Sequence, residues 1–337
     1  MSIRRIETGE RMSQTVVHGN TVYTAGQVAR SAAGASVTDQ TRAILDQLDA
    51  LLTEAGTDKS KLISATIWIS DMSTFNEMNA VWDAWVSPGN TPARACVGRA
   101  RIGLVVLASD HTVEYEFRQV VTMPGIAIYQ TRIPNSPEIT TDSLRAMENG
   151  IADQAAVILP GVELDVLAYG CTSASIVLGE DRVFELIKKG RPEAQPTTPV
   201  TAAFAAFRAF QSRRIGVVTP YSEDINRTVR QYFIDNGLQV PVFGSFNQTD
   251  DNRAAPISTD SIRDAIMSVG SHTEVETVFL SCTSLRLTDS IDDIESQLGK
   301  PVTSSNHALI WHALRLAGVS ETIDGYGSLY QLPAHGT

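Results

Sequence analysis

The sequence has 337 residues, of which 43% are hydrophobic and 19% charged, a composition typical of folded globular proteins rather than disordered chains. A chain of this length suits two or three domains. Its net charge of −11 disfavours nucleic acid as a partner, because phosphate binding needs a basic surface.

The cysteine content and the absence of long apolar stretches indicate a cytoplasmic protein. Three cysteines, Cys96, Cys171 and Cys282, are too few for a disulfide framework, and their odd number fits a reducing compartment. The first residues lack the apolar core of a signal peptide. No apolar stretch approaches the ~18–20 residues that a transmembrane helix needs, so we expect no membrane partner.

Residues 1–100 predict a small α+β unit. The predicted elements, in chain order, are a hairpin at 15–24, a helix at 37–55, a strand at 62–69 and a helix at 75–86. A Gly-Asn turn centres the hairpin. Thr38 or Asp39 can cap the first helix, and Gly56 ends it.

From residue 101 the pattern changes to alternating strands and helices, which is typical of a parallel sheet covered by helices. Strands are predicted at 102–107, 125–130, 164–169, 214–218, 239–243 and 276–280. Helices are predicted near 141–158, 180–188, 201–211, 222–236, 259–269, 289–298 and 306–317.

Three landmarks recur in the same order within residues 101–337. The runs 166–173 and 278–284 are both apolar strands that end in Cys-Thr-Ser, with the cysteines 111 residues apart (282 − 171). The other matched pairs are 101–106 with 214–218, and 196–198 with 301–303. This repetition predicts a duplicated α/β unit with lobes at about 101–210 and 211–320, each offering a thiol at a strand end.

Residues 1–100 resemble the Rid (YjgF-type) family of reactive-intermediate deaminases. The resemblance rests on 22–28, 66–71, 75–79 and the Pro-Ala-Arg element that contains Arg94. It implies that Arg94 holds a substrate carboxylate, a task that suits the guanidinium fork. Family members active on imines carry a Glu on their last strand. The segment here that would correspond to it, residues 113–116, lies twenty residues beyond Arg94. The α/β unit that begins at residue 101 needs the same segment for its own fold.

Residues 101–337 resemble the aspartate/glutamate racemase superfamily, and within it the maleate isomerase, arylmalonate decarboxylase and ectoine-utilisation group. The segments that carry the resemblance are 102–112, 169–173, 217–226, 280–284 and 299–306. It implies an α/β protein in which the small α+β Rid-like unit precedes a two-lobed, pseudo-symmetric parallel-sheet racemase fold, with no metal and no cofactor.

The resemblance assigns the chemistry to a thiol pair, Cys171 and Cys282. A thiol between a strand end and a helix N-terminus can ionise near neutral pH, and we expect this at both cysteines. The expected substrate-binding residues are Ser109, Asp110, Thr112, Thr172, Ser173, Tyr221, Thr283, Ser284 and Asn306. Maleate isomerases carry Asn at the place of Asp110, and an anionic Asp there would repel a carboxylate.

The sequence therefore predicts a cofactor-independent isomerase or racemase that acts on a small carboxylate or dicarboxylate through paired cysteines. The alternatives left open are an arylmalonate-type decarboxylase, a Rid-type imine or enamine deaminase, and a non-catalytic ligand-binding or assembly protein. Because Rid proteins form trimers, we also expect a homo-oligomer.

Overall fold

The computed structural model describes residues 3–70, 74–98, 100–123 and 125–333. The chain divides into two compact units, Met1–Arg99 and Ala100–Thr337, called here the N-terminal and C-terminal units. In the part of the chain that is described, no helix combines the length and apolarity needed to cross a membrane.

Within its described residues, the N-terminal unit contains two small sheets and two α-helices. Its elements are β1 (Ile3–Thr8), β2 (Ser13–His18), β3 (Thr21–Thr24), α1 (Val37–Ala55), β4 (Ser64–Ile69), α2 (Phe75–Trp85) and β5 (Ala93–Gly98). Strands β1, β2 and β3 form an antiparallel sheet, whereas β4 and β5 pair in parallel. The predicted hairpin and both predicted helices are confirmed.

The cap of helix α1 differs from the prediction. Ser36, rather than Thr38 or Asp39, lies at the N-cap, and its hydroxyl accepts a hydrogen bond from the backbone N–H of Asp39. Thr38 and Asp39 already lie within the helix, so their side chains are not placed to accept hydrogen bonds from its first free N–H groups. Gly56 ends the helix in the left-handed conformation, as predicted.

The C-terminal unit contains two four-stranded parallel sheets with the same strand order, β7-β6-β8-β9 and β11-β10-β12-β13. The first sheet consists of β6 (Ala100–Leu107), β7 (Ile126–Ile133), β8 (Val166–Gly170) and β9 (Gln195–Thr197). The second consists of β10 (Arg214–Thr219), β11 (Gln239–Ser245), β12 (Thr277–Leu280) and β13 (Val302–Ser304). These sheets define a first and a second lobe.

The strand register repeats between the lobes, as the sequence duplication requires. Ile102 of β6 lies opposite Val166 of β8, and its counterpart Ile215 of β10 lies opposite Thr277 of β12. The cysteine-bearing strands β8 and β12 therefore occupy equivalent positions beside the central strands. The two parallel sheets with matching strand order confirm the predicted fold class.

Helices cover both sheets. They are α3 (Val113–Val120), α4 (Thr141–Ala146), α5 (Glu148–Ala156), α6 (Thr172–Leu178), α7 (Glu180–Gly190), α8 (Pro199–Ala209), α9 (Glu223–Asp235), α10 (Asp251–Ala254), α11 (Thr259–Gly270), α12 (Ile291–Leu298) and α13 (Ser305–Leu316). Helices α8 and α13, which follow the last strand of each lobe, pack against each other across the lobe boundary. One apolar core runs through both lobes, from Val105 to Val302.

Candidate active site

The two cysteines follow equivalent strand ends but stand in different local structures. Cys171 comes directly after β8 and is the N-cap of α6, where its Sγ accepts a hydrogen bond from the Ala174 N–H at 3.4 Å. Cys282 comes two residues after β12 and enters a loop, so the helix expected after the second Cys-Thr-Ser does not form. Its backbone N–H donates to Ser305 Oγ at 3.0 Å, at the start of α13.

Both thiols line one small cavity between the lobes. The cavity has a volume of about 20 Å³, enough for a single water molecule. Cys171 and Cys282 are 5% and 4% exposed. The lining residues are Leu107, Asn135, Ser136, Glu138, Ile139, Ser143, Leu144, Met147, Cys171, Thr172, Ser173, Tyr221, Asp251, Cys282 and Thr283.

The thiols are not activated in the resting site, contrary to the expectation of ionisation near neutral pH. Burial raises the pKa of Cys171 to about 12, against smaller favourable effects of the Ala174 N–H and the Ser173 hydroxyl. Burial and then the negative charge of Asp251 raise the pKa of Cys282 even further. Burial and the nearby carboxylates outweigh the helix N-terminus, so both cysteines favour the neutral thiol.

Tyr221 contacts the second thiol from a firmly held loop after β10. Both residues line the cavity, and the Tyr221 side chain partly opposes the rise in the Cys282 pKa. The carbonyl oxygen of Tyr221 accepts hydrogen bonds from Asn226 Nδ2 at 2.8 Å and from Ser245 Oγ at 2.7 Å. Tyr221 is therefore fixed as a donor toward any negative charge that develops on Cys282.

The residues that flank the cysteines join the two lobes by hydrogen bonds. Thr172 donates from its hydroxyl to Ser305 Oγ at 2.8 Å, the same oxygen that accepts from the Cys282 N–H. Thr283 donates to the carbonyl oxygen of Gly170 at 3.4 Å. Each cysteine loop is thus tied to the opposite lobe, which fixes the positions of the two thiols relative to each other.

Thr112 and Ser284 form a further link at the edge of the site. The Thr112 hydroxyl donates to the Ser284 carbonyl oxygen at 2.9 Å, and both residues are buried. Neither residue lines the cavity. Their hydrogen bond holds the Cys282 loop in place, and the two residues do not contact the space between the thiols.

A buried carboxylate, Glu116, supports the same loop and was missed by the sequence reasoning. Its Oε1 accepts the backbone N–H groups of Leu287 and Thr288, both at 2.8 Å. Its Oε2 accepts from Asn306 Nδ2 at 2.7 Å, and that amide also donates to the Thr283 carbonyl oxygen at 2.8 Å. Burial raises the pKa of Glu116. Asn306, expected to bind substrate, is thereby engaged in positioning the loop.

Asp110 caps helix α3 next to the cavity. Its Oδ1 accepts from the backbone N–H groups of Thr112 and Val113, at 2.7 and 2.8 Å. Burial raises the pKa of Asp110 to about 6 despite these bonds. The second oxygen, Oδ2, is buried without a hydrogen-bond partner. Asp110 is not among the lining residues, but its charge opposes ionisation of both thiols.

Asp251 is an acidic residue of the cavity lining that the sequence reasoning did not predict. Ser109 donates to Asp251 Oδ2 at 2.6 Å, and Asn135 Nδ2 donates to Ser109 Oγ at 2.8 Å. The Asp251 N–H donates to the Pro137 carbonyl oxygen at 2.9 Å, which docks the second lobe against the first. Asp251 follows the edge strand β11, whose carboxyl end also faces the crevice, so the strand-end rule could have identified it.

The predicted substrate-binding residues therefore fall into two groups. Thr172, Ser173, Tyr221 and Thr283 line the cavity together with both cysteines. Ser109, Asp110, Thr112, Ser284 and Asn306 lie around it and hold its walls. Among the residues that the structure describes, no cluster of three His, Cys, Asp or Glu could hold a metal ion.

Arg94 lies in the N-terminal unit, on β5 opposite Ala65 of β4. Its guanidinium stands over the ring of Trp82 at 5.3 Å, and its Nη1 is buried without a hydrogen-bond partner. The segment that would carry the family's Glu is not a strand of this unit. Residues Val113–Val120 form helix α3 of the C-terminal unit, so Glu114 and Glu116 belong to the other fold.

Comparison with known proteins shows two similarities that divide the chain. The endoribonuclease L-PSP family model matches residues 2–116, and the arylmalonate decarboxylase family model matches residues 135–330. The RutC family protein YoaB of Escherichia coli is 41% identical over 97 residues, which cover 29% of this chain and 83% of that protein.

The second similarity extends through the C-terminal unit. A maleate isomerase of Pseudomonas putida is 25% identical over 243 residues, 68% of this chain and 96% of that enzyme. The structure of a Nocardia farcinica maleate cis-trans isomerase, a cysteine-to-serine variant with a covalently bound succinylcysteine intermediate, superposes with a TM-score of 0.63. It is 24% identical and covers 69% of this chain and 98% of its own, a likeness that establishes the fold.

Proposed function

Because the chain belongs to the arylmalonate decarboxylase family over residues 135–330 and to the endoribonuclease L-PSP family over residues 2–116, we propose that its C-terminal unit is a cofactor-independent isomerase or racemase of a small carboxylate. The observation that carries the proposal is the thiol pair. Cys171 and Cys282 come from equivalent strands of two lobes and line the same cavity.

In the proposed reaction, a carbon atom loses a proton from one face and gains a proton on the opposite face. One cysteine, as the thiolate, removes the proton from the carbon beside a carboxylate, and the electron pair moves into the carboxylate to give an enediolate. The opposite thiol then donates its proton to the other face of that carbon, which inverts it. The first cysteine ends as a thiol and the second as a thiolate, so one proton has been taken and one returned.

A related route adds the thiolate to a carbon–carbon double bond. The bond between the two carbons then rotates as a single bond, and expulsion of the cysteine restores the alkene in its other geometry. The succinylcysteine intermediate of the Nocardia farcinica isomerase is an adduct of this kind, and it supports including this covalent route in the proposal.

Polar groups of the cavity suit both routes. The Tyr221 hydroxyl is placed to stabilise a thiolate on Cys282, and the Ala174 N–H does the same for Cys171. The hydroxyls of Ser173 and Thr283 lie on the cavity wall, where they could hydrogen-bond a substrate carboxylate.

Decarboxylation of a malonate-type acid is the second candidate, favoured by the arylmalonate decarboxylase family match. It needs one thiol, which protonates the enediolate left when carbon dioxide departs. The two candidates therefore differ in how many cysteines they require.

The experiment that separates them is proton NMR in deuterated water with maleate, aspartate, glutamate, arylmalonates and acetylated diamino acids. We expect solvent deuterium at the α-carbon, or a cis-to-trans change, for the wild type and for the matched control Cys96→Ser, whose substitution lies in the N-terminal unit. Both signals should disappear in Cys171→Ser and in Cys282→Ser. Activity retained in Cys171→Ser alone indicates one-thiol decarboxylation, and activity retained in both variants contradicts the proposal.

A further inference from the structure

We infer that Ser305 is a positioning residue for both thiols, and that its one side-chain oxygen, behind the cavity wall, sets how readily Cys171 and Cys282 react. The inference rests on the proposed function and deepens it, because it names the group that keeps the two thiols at a fixed separation. The arguments are the hydrogen bonds that Ser305 accepts, the helix that carries it and a difference between the two lobes.

One oxygen atom receives a hydrogen bond from the neighbourhood of each thiol. Ser305 Oγ accepts from the hydroxyl of Thr172, the residue after Cys171, at 2.8 Å. It also accepts from the backbone N–H of Cys282 at 3.0 Å. A hydroxyl oxygen has two lone pairs, so both bonds can form at once. Ser305 is not among the residues that line the cavity, and it therefore acts on the thiols through these two bonds.

The position of Ser305 is fixed by helix α13, of which it is the first residue. Every residue from Ser305 to Leu314 is buried, and α13 packs against α8, α3 and β8 of the first lobe. Ser304 caps this helix by accepting the His307 N–H at 3.1 Å, so the helix does not need the Ser305 side chain as a cap. The Ser305 hydroxyl serves the two cysteine loops instead.

The first lobe has no counterpart of this hydroxyl. Thr198 caps α8 as Ser304 caps α13, but the next residue is Pro199, whose side chain carries no polar atom. The Cys171 N–H donates instead to the Tyr169 carbonyl oxygen at 3.1 Å. Both cysteine loops therefore depend on one acceptor from the second lobe, and the duplication does not supply another.

Removal of this oxygen should loosen both cysteine loops without unfolding the C-terminal unit. The Thr172 hydroxyl and the Cys282 N–H would lose their acceptor in a buried place, so each would have to move or admit water. The bonds of Thr283 and Asn306 still hold the Cys282 loop, so the change should stay local.

The loosening should act in opposite directions on the resting thiols and on catalysis. Burial is the largest cause that raises the pKa of both thiols, so thiols that gain contact with water should react faster in the absence of substrate. Turnover should fall, because it requires the two thiols at fixed places on either side of one carbon atom. General destabilisation does not predict this pair of effects.

The first test follows each thiol without any substrate. Wild type and Ser305→Ala are treated with iodoacetamide at the same pH, and the initial rates of alkylation of Cys171 and Cys282 are measured separately by peptide mass spectrometry. We expect both rates to rise by roughly threefold or more in Ser305→Ala, because the fraction of thiolate and the access of the reagent both increase.

The matched control is Ser304→Ala, at the adjacent and equally buried serine. It removes the cap of the same helix but no bond to a cysteine loop, so both alkylation rates should stay close to those of the wild type. Ser305→Thr keeps the acceptor oxygen and should also give rates close to those of the wild type. Equal changes in Ser304→Ala and Ser305→Ala, or a change at only one cysteine in Ser305→Ala, overturn the inference.

Thr172→Val tests the bond from the first lobe by itself and keeps the shape of the side chain. It removes the donor to Ser305 Oγ and leaves the bond from the Cys282 N–H in place. The alkylation rate of Cys171 should rise by roughly threefold or more, while that of Cys282 stays as in the wild type. An unchanged Cys171 rate overturns the inference, even where Ser305→Ala does not fold.

The second test measures turnover and separates failure of the inference from failure of the proposed function. For an acid that the wild type converts, we expect kcat to fall roughly tenfold or more in Ser305→Ala with a smaller change in KM, since the thiols shift while the polar groups of the cavity wall remain. Conversion with an unchanged kcat in Ser305→Ala overturns the inference and leaves the proposed function standing. Faster alkylation of both thiols in Ser305→Ala, with no acid converted by the wild type, supports positioning by Ser305 and contradicts the proposed function.

Discussion

Replacement of Glu116 by Ala should destabilise the C-terminal unit far more than its position on a short helix suggests. The carboxylate accepts hydrogen bonds from the Leu287 N–H, the Thr288 N–H and the Asn306 amide, at 2.7–2.8 Å. Glu116 is fully buried, so its removal leaves three donors in a site with little access to water. An unpaired buried donor costs ~1–3 kcal/mol, and three of them, after partial relaxation, cost about 3–6 kcal/mol.

The assay is urea unfolding of wild type and variant, with the free energy of unfolding taken from linear extrapolation. The matched control is Glu114→Ala on the same helix, which removes a partly exposed ion pair with Arg132 and should cost at most ~1 kcal/mol. The loss of unfolding free energy in Glu116→Gln should lie between those of Glu116→Ala and Glu114→Ala. The Gln amide still accepts hydrogen bonds through its oxygen, but its NH2 group faces the Asn306 donor. Equal destabilisation by Glu116→Ala and Glu114→Ala would refute the reasoning that the carboxylate holds the Cys282 loop.

Three further predictions concern ionisation. The pKa of Asp110 is about 6 in the folded protein, against an ordinary value of 3.8. Between these pH values the native protein binds more protons than the unfolded chain. The free energy of unfolding should therefore fall by about 1–3 kcal/mol as the pH rises through that window. Asp110→Asn should reduce the fall in pH-dependent urea unfolding by that amount, while Glu116 and Asp251, whose pKa values are also raised, keep their own contributions; an unchanged slope would contradict the prediction. Cys171 and Cys282 should react with iodoacetamide at pH 8 at least ~100-fold more slowly in native than in urea-unfolded protein, since their pKa values are raised; comparable rates would show that the thiols are ionised. Tyr221→Phe should slow alkylation of Cys282 by roughly three- to tenfold and leave Cys171 nearly unchanged, because it removes one hydrogen bond to the thiolate, and equal effects on the two cysteines would argue against that bond.

The architecture of the C-terminal unit could be predicted because duplication and burial leave strong patterns. Its longer strands are apolar runs between turn signals, and the repeated Cys-Thr-Ser showed which strands are equivalent. The elements that were not predicted are short. Strands β9 (Gln195–Thr197) and β13 (Val302–Ser304) have three residues each, too few for periodicity to show, and both exist because a neighbouring strand pairs with them.

The supporting residues of the site could not be predicted from local sequence. Glu116 lies 171 residues before Leu287 and 190 before Asn306, and the residues next to it in the sequence do not indicate these partners. The thiol environment was predicted wrongly for a related reason. A helix N-terminus is a local feature that sequence can suggest, whereas burial and the charge of Asp251 depend on the folded lobes.

Residues 100–116 fall within the L-PSP family match but belong to the C-terminal unit, and their burial explains which fold they adopt. The L-PSP family match extends to residue 116, yet Ala100–Leu107 forms β6, the central strand of the first lobe. Ile102, Leu104, Val105 and Val106 are fully buried there, on both faces of the sheet. A strand that is apolar on both faces suits a covered parallel sheet, whereas a half-exposed antiparallel sheet needs alternation. The N-terminal unit is left with separate three- and two-stranded sheets.

The neutrality of the two thiols constrains any mechanism at this site. Burial and the nearby carboxylates raise the pKa of both thiols, so the resting site disfavours the thiolate that the proposed reaction needs. In the proposed reaction a cysteine has to lose its proton when the substrate binds, and the nearby carboxylates Asp110 and Asp251 oppose that loss. If the proposed function holds, burial of the cysteines limits their reaction with other compounds in the absence of substrate.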